Sequence, residues 1–274
     1  MSAAEIVDRP SRGARALRRL RRWARRLAIA LGCRLGLLPR RADRGYVICA
    51  TPRSGSNYLC QLLASTGQLG RPLEYFNTQA RQRHTDPAYP RDRDLQIDMV
   101  RTMGATPNGI YAAKILPLQY LRVTRKVDLF HALPNLKFVR LHRRDLLGQA
   151  LSLSRVRQTG QIMASKQANA APVYNAADIR TCIRDVQARE AIWDQVMRAF
   201  GMRPLLLAYE DVMRDPQAAI DQVAALMGLA PMPVNPDLVR VTVQRDRDTE
   251  AWRQRFLAET GDEFRHLESG FPQD

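Results

Sequence analysis

Lysine is nearly missing from this 274-residue chain: Lys114, Lys126, Lys137 and Lys166 are its only lysines among 43 basic residues. Arginine is therefore the default cation, and a single arginine marks a site only weakly. Cysteine and histidine are as scarce, four of each. Cys33, Cys49, Cys60 and Cys182 form no C-x-x-C pair, which argues against both a disulfide framework and a structural zinc. A reducing cytoplasm is the natural setting for such a chain. Long apolar runs are lacking too. The longest, Leu27 to Leu38, is broken by Arg34 and falls short of the roughly 20 residues of a membrane span. What is present is a hydrophobic share of 45%, enough to bury a sizeable core in one α/β domain or two small ones.

The net charge of +16 is unevenly spread. Residues 1–44 carry thirteen arginines against Glu5, Asp8 and Asp43, whereas the body is only mildly basic. Within that segment Leu17, Leu20, Ala24, Leu27 and Leu31 recur at helical spacing, Arg15, Arg18, Arg19, Arg22, Arg25 and Arg26 fill other faces, and Pro39 ends the pattern. Two readings stand. One is a cationic amphipathic helix over residues 12–38 that contacts an anionic membrane surface; the other is a basic tail. A signal peptide is disfavoured, because Leu27–Leu31 is shorter than the roughly 7–15 residues of an h-region. Nucleic acid is not the expected partner, since the basic excess sits outside the body.

From residue 45 apolar runs alternate with helical patterns. Tyr46–Ala50, Ile110–Ile115, Leu136–Leu141 and Pro204–Tyr209 read as strands covered on both faces. Helices are expected from Asn57 to Thr66, Asp145 to Arg157, Ile179 to Phe200, and Pro216 to Met227-Gly228. The alternation predicts a parallel sheet with right-handed crossovers. Residues 77–108 are polar, with Pro87, Pro90 and Pro107, and read as an insertion or lid.

The strongest local signal is Ala50-Thr51-Pro52-Arg53-Ser54-Gly55-Ser56-Asn57. A strand enters a small turn that opens a helix, so free N–H groups and the positive helix end face one point. Arg53 adds a forked cation, and Ser54 and Ser56 add hydroxyls. Such a turn suits phosphate, although an ordinary strand–turn–helix has the same outline. The G-K-[ST] of a nucleotide triphosphatase is absent, and one glycine does not make a dinucleotide fingerprint.

Five blocks in order resemble the sulfotransferases that use 3′-phosphoadenosine 5′-phosphosulfate (PAPS), and above all their bacterial carbohydrate branch. They are Arg53-Ser54-Gly55-Ser56; Gly70-Arg71-Pro72-Leu73-Glu74-Tyr75-Phe76; Thr106-Pro107-Asn108-Gly109 through Lys114; His142-Arg143-Arg144-Asp145 to Ser152; and Tyr209-Glu210-Asp211 to Pro216. The resemblance spans roughly residues 45–260. It implies a P-loop-like, three-layer α/β/α fold around a central parallel sheet, with residues 45–274 as the sulfotransferase domain and 1–44 as an appendix.

The resemblance also assigns roles. Arg53, Ser54, Gly55, Ser56 and Asn57 would hold the 5′-phosphosulfate. Arg143 or Arg144, with Ser152 on the next helix, would hold the 3′-phosphate; Arg144 has the R-x₇-S separation, while Arg143 matches the carbohydrate branch and is preferred. Glu74 would be the base within an acceptor-binding segment, Gly70 to Phe76, with Leu73, Tyr75 and Phe76 desolvating it and raising its pKa. His84 is the fallback base. Lys114 would neutralise the sulfonate or leaving oxygen, or else form a structural salt bridge. Asp145 reads as a helix cap, His142 as a strand-end histidine, and Trp193 and Trp252 as core. No metal is called for. The implied activity is sulfuryl transfer from PAPS to a carbohydrate or glycolipid hydroxyl, by a cytoplasmic protein at the inner membrane surface, with a homodimer as a compatible assembly. Where trehalose-acting members carry Gln before the loop arginine this chain has Pro52, which puts trehalose specificity in question. The competing readings are a P-loop kinase and a non-catalytic basic module for membranes or nucleic acid.

Overall fold

Four apolar runs form the sheet: β1 (Arg44–Cys49), β2 (Ile110–Ile115), β3 (Leu136–His142) and β4 (Leu205–Ala208). All pair in parallel, in the order β2-β1-β3-β4. The computed structural model describes residues 41–160, 171–240 and 247–267, together with residues 20, 23, 24, 27, 28 and 31. The rest of the basic segment expected over 12–38 lies outside the described residues. Leu20, Trp23, Leu27 and Leu31 are helical and expose their apolar side chains.

Runs without polar alternation need cover on both faces, and the helices provide it. On one face Tyr46, Ile48, Val139, Leu141 and Leu207 pack against α1 (Ser56–Ser65) and, further along the chain, α9 (Pro216–Leu226). The opposite face, with Val47, Cys49, Tyr111, Ala113 and Ile115, is covered by α3 (Arg93–Thr102), α4 (Pro117–Thr124), α5 (Leu129–Ala132) and α7 (Ala176–Ala199), the last through Trp193. A third apolar cluster joins α6 (Leu146–Thr159), α7 and α10 (Arg247–Thr260) around Trp252 and Phe256. The architecture is α/β with a central parallel sheet flanked by helices, as the alternation predicts.

Element by element the agreement is close. Strand β2 coincides with its expected span, and Asp145 caps α6 by accepting the Gly148 N–H at 2.7 Å. Trp193 is fully buried and donates to the Ala50 carbonyl at 3.1 Å. Residues 77–108, expected as a polar insertion or lid, carry α2 (Thr78–His84) and α3. Helix α3 is packed down on the sheet, and buried Gln96 donates to Thr78 Oγ1 and the Pro90 carbonyl at 2.8 and 2.7 Å.

The strand order reverses between β1 and β3. In an open α/β sheet the ligand crevice lies at such a point, beyond the carboxyl ends of the strands. The loop after β1 and the turn after β3 both open there.

Candidate active site

The loop after β1 is shaped by its backbone. Arg53 and Gly55 both have positive φ, 64° and 79°, and this left-handed alternation turns successive N–H groups inward. Gly55 starts α1 with no side-chain cap; the Tyr58 N–H bonds the Gly55 carbonyl at 3.0 Å, and those of Ser56 and Asn57 are left uncapped by side chains, an arrangement that suits an anion. Ser54 is buried and gives its hydroxyl proton to the Thr51 carbonyl at 2.8 Å. Its role is to close the loop.

Arg53 turns toward the following helix pair, and its Nε donates to Ser152 Oγ at 2.9 Å. Arg143, leaving β3, reaches the Arg53 carbonyl at 3.5 Å and lies over the Tyr209 ring, 5.0 Å from its centroid. Burial, and then the like charge of Arg143, lower the Arg53 pKa below that of an ordinary arginine. Two guanidinium groups and a hydroxyl thus share one corner of the crevice. Arg143 Nε is buried there without a hydrogen-bond partner among the described residues. Arg144 goes elsewhere: it forms a two-pronged pair with Asp211 at the surface.

The carboxylate of Asp145 holds this corner together. Its Oδ2 meets Arg143 Nη2 at 3.1 Å and Arg253 Nη2, from α10, at 2.6 Å. Burial pushes the Asp145 pKa up, but Arg253, Arg143 and the Gly148 N–H outweigh it and hold it below the usual value. A Cβ on Gly148 would fall 2.0 Å from Asp145 Oδ2 and 2.7 Å from Arg143 Nη2, so any larger residue there would push these side chains apart. Arg253 was not foreseen from sequence, where an arginine in an arginine-rich helix carries no signal.

Glu74 lies on the other side of the loop. The segment Gly70 to Phe76 runs beside β2, Leu73 bridging Ala113 and accepting the Lys114 N–H at 2.9 Å. That pairing sets Glu74 against the Lys114 side chain, with Nζ 3.0 Å from Oε1. Lys114 Nζ also donates to Asn57 Oδ1, in the first turn of α1, at 2.5 Å. Glu74 Oε2 accepts from Asn77 Nδ2 and Gln119 Nε2, both at 2.7 Å. Each amide is oriented by the helix it caps: Asn77 Oδ1 accepts the Ala80 N–H, and Gln119 Oε1 the Leu116 N–H. Their NH₂ groups can only face Glu74.

This arrangement overturns the expected direction of the Glu74 pKa. Burial does raise it, but the Lys114 charge and the hydrogen bonds from Asn77, Gln119 and Lys114 prevail, and the net shift is downward. Burial remains the largest single influence on Glu74; Tyr75 and Phe76 turn into the core while Leu73 stays 45% exposed. Gly70 and Pro72 are buried and Arg71 is exposed, so Arg71, Leu73 and Glu74 are the side chains of the segment that face out. His84 is exposed at the end of α2. Lys114 is both things weighed for it, a buried ion-pair partner and a cation beside the loop.

Beneath the loop lies a second buried pair. Arg140, on β3, is bonded to Glu190 of α7, and Glu190 Oε1 accepts the Thr51 hydroxyl at 2.6 Å. Gln149 adds hydrogen bonds to Thr51 Oγ1 and the Pro52 carbonyl, at 2.9 and 2.7 Å. Among the described residues no group of three His, Cys, Asp or Glu side chains could hold a metal ion.

An uncapped helix start, converging guanidinium groups and a carboxylate held in its charged form meet at the switch point of this α/β protein. The profile of the Stf0 sulphotransferases matches residues 45–259, and the chain belongs to this family. Trehalose 2-sulfotransferase of Mycobacterium tuberculosis is 30% identical over 268 residues, covering 80% of this chain and 96% of that protein. Its counterpart in Mycolicibacterium smegmatis is 27% identical over 257 residues, covering 77% and 93%. A solved sulfotransferase from Alicyclobacillus acidocaldarius aligns over 83% of this chain and 95% of that one, at 15% identity and a TM-score of 0.49. The protein is a sulfotransferase.

Proposed function

We propose that the protein transfers a sulfuryl group from PAPS to a hydroxyl of a carbohydrate or glycolipid, with Glu74 as the base. The observation that carries this reading is the chain of contacts from Glu74 through Lys114 to Asn57, which ties a charged carboxylate to the first turn of the phosphate loop. The anion corner fits the donor: Arg143 offers a buried, unpartnered Nε beside Arg53 and Ser152. Arg143 and Ser152 take the 3′-phosphate in this reading, the N–H groups of Gly55, Ser56 and Asn57 take the 5′ group, and Arg53 spans the two. PAPS, when bound, supplies an activated sulfuryl group on a phosphate leaving group.

The acceptor hydroxyl approaches over Arg71, Leu73 and Glu74. Oε2 of Glu74 already accepts two amide protons, so the hydroxyl proton is delivered to Oε1. As Oε1 is neutralised, the Lys114 charge is freed to meet the oxygen from which sulfur departs. Positive charge for the leaving group comes from Arg53, Lys114 and the α1 terminus.

The test is radiolabelled sulfate transfer from PAPS to a panel of bacterial glycolipids and oligosaccharides with trehalose included, run with and without EDTA. Transfer to a sugar hydroxyl at equal rates in both conditions is expected. Labelling from ATP instead, or an absolute need for magnesium, would sink the reading.

The N-terminal segment is proposed to hold the enzyme on an anionic membrane surface, on the cytoplasmic side. Helical Leu20, Trp23, Leu27 and Leu31 present apolar side chains to solvent within an arginine-rich stretch, the combination that suits acidic headgroups. Full-length protein should float with anionic liposomes at low salt and be released as ionic strength rises. Equal flotation of residues 45–274 alone would refute this.

A further inference from the structure

Resting on the donor site proposed above, we infer that Tyr209 and Glu210 form a positioning pair that sets the selectivity of that site for a 3′-phosphate. Strand β4 lies beside β3 with Ala208 opposite His142, so the residues that follow each strand leave from adjacent ends. Tyr209 and Glu210 open α8 (Tyr209–Arg214) there, facing the turn Arg143-Arg144-Asp145.

The two side chains hold two different parts of the clamp. Tyr209 fills the space between the phosphate loop and Arg143. A Cβ on Gly55 would fall 2.1 Å from its Cδ2, so the ring meets the loop at a point where only glycine gives room. It also meets the Arg143 guanidinium, 5.0 Å from the ring centroid, a cation–π distance. Glu210 is buried and divides its oxygens between two backbone donors, Arg144 N–H to Oε2 and Asp145 N–H to Oε1, both at 3.1 Å. These bonds fix the peptide planes from which the Arg143 side chain departs and α6 begins. Neither residue needs to touch the nucleotide. They act through Arg143, whose direction is otherwise opposed by its like-charged neighbour Arg53.

The experiment compares 3′,5′-ADP with 5′-AMP, which lacks the 3′-phosphate, by calorimetry on the full-length protein. The readout is the ratio of their affinities. General damage to the fold lowers both affinities and leaves the ratio alone, whereas a misdirected Arg143 lowers the ratio. Tyr209→Leu removes the ring and should cut it by about tenfold, as expected for a partly desolvated cation–π contact. Tyr209→Phe keeps the ring and should keep the ratio. Glu210→Gln leaves one of the two N–H groups facing an NH₂ and should also reduce the ratio, by about fivefold or more. This second variant decides the matter if Tyr209→Leu does not fold. The inference is overturned if folded Tyr209→Leu or Glu210→Gln keeps the wild-type ratio, or if Tyr209→Phe loses as much as Tyr209→Leu. A wild-type protein that binds 5′-AMP as tightly as 3′,5′-ADP would instead overturn the donor site itself, and this inference with it.

Discussion

Each face of the sheet buries one strand-borne cation, and the two are used differently. Lys114 points from β2 toward α1, and its partner Glu74 keeps a quarter of its side chain accessible. Arg140 points from β3 to the other face and is locked to Glu190, which is itself 19% exposed and turned under the loop. Similar pairs thus stand on either side of the Thr51–Asn57 turn. The two pairs are almost equally buried, 5% and 25% exposed above the turn and 5% and 19% below it. What differs is where the carboxylate is used: Glu190 holds the Thr51 hydroxyl, whereas the proposed mechanism gives Glu74 the acceptor's proton.

The sharpest break in that symmetry is Glu74→Gln. It keeps the reach of the side chain but removes the proton acceptor, so kcat should fall by about 10²–10⁴ while 3′,5′-ADP affinity holds. Near-normal turnover, with a dead His84→Ala, would move the base to α2.

Glu190→Gln should behave in the opposite way. It leaves Arg140 buried without its countercharge, and removing one partner of a buried pair costs about 3–5 kcal/mol. Urea denaturation should show the loss, with nucleotide binding weakened because Thr51 is released. A stable variant with intact binding would show that the lower pair is dispensable.

Lys114→Met sharpens the comparison through pH. In the wild type the Glu74 pKa lies below its usual 4.5, so on the proposed mechanism turnover should be level from neutrality down to that region. A depressed carboxylate contributes stability above its unfolded pKa and loses it as pH falls through the folded one. Without the lysine, burial acts unopposed by its charge, and the acid limb of the kcat/KM profile should move to higher pH. An unmoved limb would mean that a group other than Glu74 is titrating.

The smallest effect is expected at Arg144. Its pair with Asp211 is exposed, so Arg144→Ala should cost less than about 1 kcal/mol and leave 3′,5′-ADP affinity unchanged. Arg143→Ala, in contrast, should weaken that binding markedly.

Much of this was legible in the sequence where the signal is local. The β2 run Ile110–Ile115, the turn around Gly55 and the Asp145 cap depend on residues close together in the chain, and their periodicity or spacing shows it. Glu74 and Lys114 were both singled out, yet their partnership was not, because it arises from the bridge between Leu73 and Ala113 across an intervening pair of helices. The same distance hid Glu190, 139 positions from the Thr51 it holds, and Gln119, 45 from Glu74. Helix α2 escaped notice for another reason: none of its residues is buried, so it has no apolar stripe to read. Spacing alone leaves Arg143 and Arg144 open and the resemblance prefers Arg143; the Arg144–Asp211 pair, 67 positions apart, has no signal in the sequence.

The crossover from α1 to β2 has an evolutionary consequence. Glu74 and Asn77 belong to it, whereas Arg53, Arg143, Ser152, Tyr209 and Glu210 belong to the β1 loop and to the β3 and β4 ends. A parallel sheet requires only that the crossover return to the β1 edge, so its length and surface can drift while the strands stay in register. Only the exposed side chains of residues 66–109 have that freedom, because Tyr75, Phe76, Ile97 and Val100 are core. On the proposed reading the acceptor surface can therefore change at Arg71 and Leu73 while the donor clamp, carried by other elements, stays as it is.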